Sequence, residues 1–219
     1  MPTEVELKLR FSSQYAGYIK QLQLLKDYEI KTPVKQKLHS VYYDSPDFIL
    51  RQHRIGLRIR KSGNQWIQTI KNSGTIHAGL HQHNEWEHSV IHENPDFSQI
   101  TDQDLKKFFV DKALRASLRP IFVTDFHRTT YLLEPAKEFK LEFCIDEGSI
   151  TANQLTQPIC EIELELKSGD TSQLRLFYAA LQKNCPFPLI LENTNKAMRG
   201  YALLTQQLNR RNTYGEPNN

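Results

Sequence analysis

The chain has 219 residues, 39% of them hydrophobic, which is enough for a core of ordinary size and fits one full domain. Its 28 basic and 25 acidic side chains leave a net charge of only +3, which excludes the polycationic character that duplex nucleic acid demands and leaves any anion binding to local arrangement. Three cysteines, Cys144, Cys160 and Cys185, form no CxxC pair and are odd in number, which argues against a disulfide framework or structural zinc and for a reducing cytoplasm, while no stretch approaches the ~20 apolar residues of a membrane span.

In chain order, Val5, Leu7, Leu9 and Phe11 alternate with Glu4, Glu6, Lys8 and Arg10, the period-2 pattern of a strand with one apolar and one charged face. Carboxylates at i and i+2 on one face sit about 6.8 Å apart and repel by roughly 2.4 kcal/mol at an effective dielectric of ~20, so a divalent cation between them would reverse the sign. Ser12 and Ser13 can cap a helix from Gln14 to Lys26, with Tyr15, Tyr18, Ile19, Leu22 and Leu25 at helical spacing. Lys35 to Tyr43 reads as a strand, ended by Asp44-Ser45-Pro46 and a short helix through Gln52.

A hairpin follows: Ile55 to Lys61, with Arg58 and Arg60 on one face, then Gln65 to Lys71 after the break at Ser62-Gly63-Asn64. Gly79 to Ile91 is another strand, carrying His81, His83, Glu85 and Glu87 on one side. Between Asn94 and Ser117 the alternation gives way to short helices anchored by Leu105, Phe108, Phe109 and Leu114. Strands resume at Arg119 to Leu133, Phe139 to Asp146 and Ile159 to Leu166, and helices are expected over Thr171 to Lys183 and Asn193 to Leu208. Residues 1–208 read as a single domain, and the polar segment 209–219 as a disordered tail.

Seven or more strands with one charged and one aliphatic face predict an α+β fold: a closed antiparallel β-barrel, its charged faces inward and helices packed outside. Its lumen would set Glu4, Glu6, Glu85, Glu87, Glu142, Asp146, Glu161 and Glu163 against Lys8, Arg10, Arg58, Arg60, Lys71 and Arg128. Burying such groups is costly unless they pair with one another, with cations or with an anionic ligand, and a polyphosphate with its metal satisfies both signs. Carboxylates suit hard ions such as Mg2+ or Mn2+, while Arg and Lys take the remaining phosphate oxygens.

Glu4-Val5-Glu6-Leu7-Lys8 matches the ExExK signature of the CYTH, or triphosphate tunnel metalloenzyme, superfamily. Gly56 to Arg60, Gln68 to Lys71, Gly79 to Glu85, Thr124 to Arg128, Ile145 to Gly148, Pro158 to Leu166 and Lys196 to Tyr201 resemble, in order, segments of its bacterial inorganic triphosphatase branch. The resemblance implies a closed tunnel of about eight strands and a metal-dependent hydrolase of inorganic triphosphate, with thiamine triphosphate hydrolysis or ATP cyclisation as alternatives within the family; a non-catalytic polyphosphate-binding module is the competing class. By the same resemblance Glu4, Glu6 and Glu163 correspond to ligands of one metal, and Asp146 with Glu161 to those of a second or of its waters. Lys8, Arg58, Arg60, Lys71, Arg128 and Lys196 correspond to the substrate-binding set, and Glu85 and Glu87 to groups that position water or metal. The catalytic residues are therefore expected to be Glu4, Glu6, Lys8, Glu85 and Glu87. His83 stands where relatives often carry arginine, and Asn195-Lys196-Ala197 where they commonly carry Ser-Lys-Ala.

Neither nucleic acid nor membrane is an expected partner, and nothing in the pattern sets the oligomeric state. A zinc site at His81, His83 and Glu85 lacks a third histidine, and no Ser-His-Asp or Cys-His spacing points to covalent catalysis.

Overall fold

The structure, a computed structural model, describes residues 3–72 and 74–214, with side chains through residue 206. Eight strands close on themselves in the order β1 (Thr3–Arg10), β9 (Leu155–Ser168), β8 (Phe139–Ala152), β7 (Arg119–Ala136), β2 (Glu29–Asp44), β3 (Gly56–Ser62), β4 (Gln65–Lys71) and β6 (Leu80–Val90). The ring is completed by β6 pairing with β1, Glu4 opposite His83 and Glu6 opposite His81, and all the pairings are antiparallel. Two short strands absent from the sequence-based expectation, β5 (Thr75–His77) and β10 (Ile190–Leu191), extend the free edges of β6 and β1. Each is too short to show alternation.

Alternation sends most apolar side chains of the strands to the outer wall, where helices cover them. On one side Leu7, Leu9, Phe143, Ile145, Ile162 and Leu164 pack beneath α1 (Ala16–Ile19), α2 (Gln23–Tyr28) and α6 (Thr171–Lys183) through Ile19, Leu25, Leu174, Phe177 and Leu181. On the other, Leu57, Ile59 and Ile70 meet Ile100, Leu105 and Phe109 around α4 (Gln103–Phe108), which α5 (Lys112–Ser117) follows. No helix among the described residues is long and apolar enough to cross a membrane.

Three expectations needed correction. The helix predicted over Gln14 to Lys26 is broken: Leu22 is extended (φ −54°, ψ 131°) and buried, so Ile19, Leu22 and Leu25 all reach a curved wall that one straight helix could not follow. Strands β2, β7, β8 and β9 all run beyond their predicted limits, because their extra residues lack alternation and are held by neighbouring ladders instead. The lumen is also not charged throughout. Leu38, Tyr42, Phe122, Phe126, Ile150 and Ile159 share the inward parity and form a third core with Tyr201 and Leu204 of α7 (Lys196–Tyr214).

Helix α7 therefore fills part of one end of the barrel. Tyr201 meets Phe122 edge-on at 5.4 Å and Phe48 at 5.9 Å, and Gly200 lies so near Phe122 that a Cβ there would fall 2.4 Å from its ring. Asp44, fully buried, fastens the same end. It accepts from the backbone N–H groups of Ser45 (2.7 Å), Leu50 (2.8 Å) and Arg51 (3.1 Å) and from the Tyr201 hydroxyl (2.6 Å), joining β2, α3 (Ile49–Gln52) and α7. α7 continues through Tyr214, past the predicted end at Leu208, and residues 215–219 of the predicted tail lie outside the described residues.

Candidate active site inside the barrel

The space left in the lumen is a cavity of about 1030 Å3 lined by charged side chains from β1, β3, β4, β6, β7, β9 and α7. These side chains meet because each strand contributes its inward parity at the same height, as with Lys8 opposite Glu163, Arg128 opposite Asp146, and Lys71 opposite Glu85. They separate into two groups.

The deeper group centres on Asp146, Glu161 and Glu163, buried carboxylates that each offer an oxygen within 4.8 Å of the others. Lys196 Nζ donates to Asp146 Oδ2 (2.6 Å), to Glu163 Oε1 (2.9 Å) and to Glu161. Lys8 Nζ donates to Glu6 (2.9 Å) and Glu163 (2.5 Å), and Arg128 grips Asp146 with two N–H groups (2.7 and 2.6 Å) while also reaching Glu163. Arg199 donates to the second oxygen of Glu161 at 2.9 Å. Burial alone would raise the Glu163 carboxyl, but Arg128, Lys196 and Lys8 hold it well below its ordinary value. Asp146 is likewise lowered against burial, by Arg128 and Lys196, whereas at Glu161 burial prevails and the shift is upward.

The second group lies on β1, β3, β4 and β6. Glu4, His83 and Glu85 also bring ligand atoms within 4.8 Å. Lys71 Nζ stands among them, 3.3 Å from Glu4 and 2.9 Å from His83 Nε2, and pairs with Glu85. Arg58 reaches Glu85 at 3.3 Å and Glu87 at 3.7 Å, and Thr69 donates to Glu87 at 2.7 Å. Burial opposes ionisation of Glu85, yet hydrogen bonds with His83 and Glu4 and the charges of Lys71 and Arg58 hold its carboxyl far below the usual range.

Part of the positive charge here is not spent on carboxylates. Arg60 donates to Ser40 Oγ (3.1 Å) and has no carboxylate partner among the described residues. Burial, with Arg58 and Arg128 alongside, pushes its pKa down. Arg58 Nε is a buried N–H without an acceptor among the described residues. Both groups call for an anion between them.

All the residues expected at the site line this cavity except Asp146 and Glu161, which lie behind it beneath Lys196. The structure does not gather Glu4, Glu6 and Glu163 into one cluster: Glu4 stands with His83 and Glu85, and Glu6 is joined to Glu163 through Lys8. Two expected lumen charges sit at the margins. Arg10 is 59% exposed and pairs with Glu192 at 3.8 Å, and Glu142 pairs with Lys167 at 3.3 Å. Sequence reasoning missed Arg199, Thr69 and the Asp44 clasp. Arg199 lies one helical turn after Lys196 and was detectable from that spacing, but Asp44 carried only a turn signal. The donor sets suit a hard divalent ion: all three groups of the first cluster are carboxylates, and two of the second.

A closed antiparallel barrel whose lumen pairs carboxylates with arginines and lysines defines a tunnel-shaped anion and cation site. The chain belongs to the CYTH domain family, whose model matches residues 2–201. It is 36% identical over 210 residues to an inorganic triphosphatase of Haemophilus influenzae, with 94% of this chain aligned to 56% of that protein, so it spans little more than half the relative's length. Among solved structures it resembles a candidate adenylyl cyclase from Hippeastrum with a dominant triphosphatase activity (TM-score 0.65, 18% identity, 93% of this chain and 96% of that one). It also resembles a candidate adenylate cyclase from Bacillus halodurans (TM-score 0.59, 16% identity, 91% and 98%). At these identities the structural likeness establishes the fold.

Proposed function

We propose that this barrel hydrolyses inorganic triphosphate to pyrophosphate and phosphate with Mg2+ or Mn2+. The observation that carries this is the unmet N–H of Arg58 Nε and the unpaired charge of Arg60 among the described residues, inside a lumen that also holds two groups of metal-competent donors. The likeness to the Haemophilus influenzae inorganic triphosphatase over 94% of this chain supports it. A linear triphosphate presents anionic oxygens along its length, matching arginines and lysines spread along a tunnel rather than gathered at one point.

In this reading Arg58, Arg60, Lys71, Arg128, Lys8 and Lys196 bind the phosphate oxygens and hold the chain in line for attack. Glu4, Glu6 and Glu163, with Asp146 and Glu161, hold the metal, which when bound supplies charge neutralisation at the phosphoryl group. The lowered pKa of Glu85 makes it a weak base, so it orients Lys71, Arg58 and water. Glu87, steadied by Thr69 and open to the cavity, is the better placed acceptor for the proton of the attacking water. Residues 1–208 act as one domain, and a reducing cytoplasm suits the free Cys144, Cys160 and Cys185.

Phosphate release should be measured across triphosphate, ATP, thiamine triphosphate and long polyphosphate, with and without Mg2+ or Mn2+. Metal-dependent release from triphosphate, lost in Glu4→Gln with the fold intact, is expected. Release only from an organic triphosphate would move the assignment to that substrate, and tight triphosphate binding without turnover would make the barrel a binding module.

A further inference from the structure

Metal-ligand and phosphate-ligand roles conflict at one point in the lumen. Asp146, Glu161 and Glu163 are the carboxylates suited to a metal, yet each gives an oxygen to Lys196 Nζ. An ammonium has three N–H donors, and all of them are used. The Phe126 ring lies 4.9 Å from the same nitrogen and adds a cation–π contact. A hard divalent ion bonds oxygen at about 2.0–2.1 Å and would need the space this nitrogen fills. While Lys196 is seated, the trio already has its cation.

Lys196 can leave without disturbing the helix that carries it. Asn195 caps α7 through the Met198 N–H at 2.8 Å, Arg199 binds Glu161 at 2.9 Å, and Tyr201 binds Asp44 at 2.6 Å. The four-carbon stem of lysine needs only side-chain rotation to carry its charge into the cavity, which Lys196 also lines. A phosphate oxygen held by the neighbouring Arg58, Arg60 and Arg128 is the group that can compensate the ammonium for its lost carboxylates.

We propose that Lys196 is the resident cation of the Asp146, Glu161 and Glu163 trio and is exchanged for a divalent ion only when substrate phosphate draws its ammonium away. This rests on the triphosphatase reading for the identity of the anion, and it makes metal binding at the trio conditional on substrate. The exchange keeps a cation at the point all three carboxylates share, beside the pairs they make with Arg128, Lys8 and Arg199. It also explains how residues matched to metal ligands and a lysine matched to a phosphate ligand occupy one place.

The test is Mn2+ binding to the full chain, free of any phosphate compound, followed by electron paramagnetic resonance or calorimetry. Lys196→Met should bind one Mn2+ at least tenfold more tightly than the unsubstituted protein, and adding Asp146→Asn to that variant should abolish the gain. Equal or weaker Mn2+ binding by folded Lys196→Met overturns the proposal. Should Lys196→Met fail to fold, lysine side-chain NMR on the unsubstituted protein decides. The Lys196 Nζ resonance should stay unmoved on adding Mg2+ alone and shift on adding Mg2+ with imidotriphosphate, and a shift with Mg2+ alone overturns the exchange. Neither measurement requires turnover, so loss of the hydrolase reading would appear separately, as absent phosphate release from triphosphate.

Discussion

The side chains in the lumen are arranged so that Arg60, between β2 and β4, has no carboxylate among the described residues to answer it. Arg60 relies on Ser40, with Arg58 and Arg128 repelling it. Such a residue opposes folding and favours anion binding, so its two effects can be separated. Arg60→Met is expected to raise the KM for triphosphate tenfold or more while leaving the thermal midpoint unchanged or higher, measured by steady-state kinetics and thermal unfolding. A fall in stability with an unchanged KM would instead make Arg60 a structural residue. Most of the charged residues were visible in the sequence because alternation sorts them onto one face and the ordered motifs rank them. What alternation cannot show is partnership. Glu4 and Glu6 share a face of β1, but register places Glu4 opposite His83 and leaves Glu6 to Lys8, and only the closed ring of strands sets that register.

Among the elements, α7 and α3 show how a connection without strong patterning can govern a site. Asp44 has no exposure to solvent and receives four hydrogen bonds, one from Ser45 in the turn, two from α3 and one from Tyr201. Asp44→Ala would strand these donors in a dry interior, where a few lost charge-assisted hydrogen bonds cost ~2–5 kcal/mol. Denaturant unfolding should show that loss, and a change below the error of the measurement would remove the clasp from the account. The sequence displayed the turn at Asp44-Ser45-Pro46 and nothing of the long-range contact to Tyr201. Helix α6 was legible to the residue because Asp170 and Gln173 form a reciprocal capping box and its apolar stripe repeats at helical spacing. The helix before β2 was not, since its break answers the curvature of the barrel rather than any local breaker.

At the scale of the whole molecule, the barrel has two outer cores and one inner core, with an ionic lattice between the inner core and the open cavity. The carboxyls of Glu163 and Asp146 are held below their ordinary values of 4.5 and 3.8. A carboxyl depressed in the fold adds stability above its unfolded value and loses it as pH falls, because the unfolded chain takes up the proton first. For metal-free protein, the thermal midpoint is therefore expected to drop steeply once pH falls below about 4.5, the upper of the two ordinary values. A midpoint that stays level to pH 3 would contradict the ionic lattice as described. The overall architecture was readable because charge on one face of many strands has few solutions other than a closed ring. The inner apolar core was not, because Phe122, Phe126 and Ile159 look in sequence like any other strand residues until α7 is seen against them.

Strand β1 has its two edges claimed by partners from distant parts of the chain: β6 on one side, and β9 on the other, where Lys8 meets Glu163 across 155 positions. During synthesis β1 must therefore wait for β9 before the ring can close. Until then its alternating face is an open edge, available to any other strand, and contacts of such sequence separation make for slow folding. The residues that begin the charged lumen thus depend on a strand some 155 positions away, and half of the barrel cannot form the site.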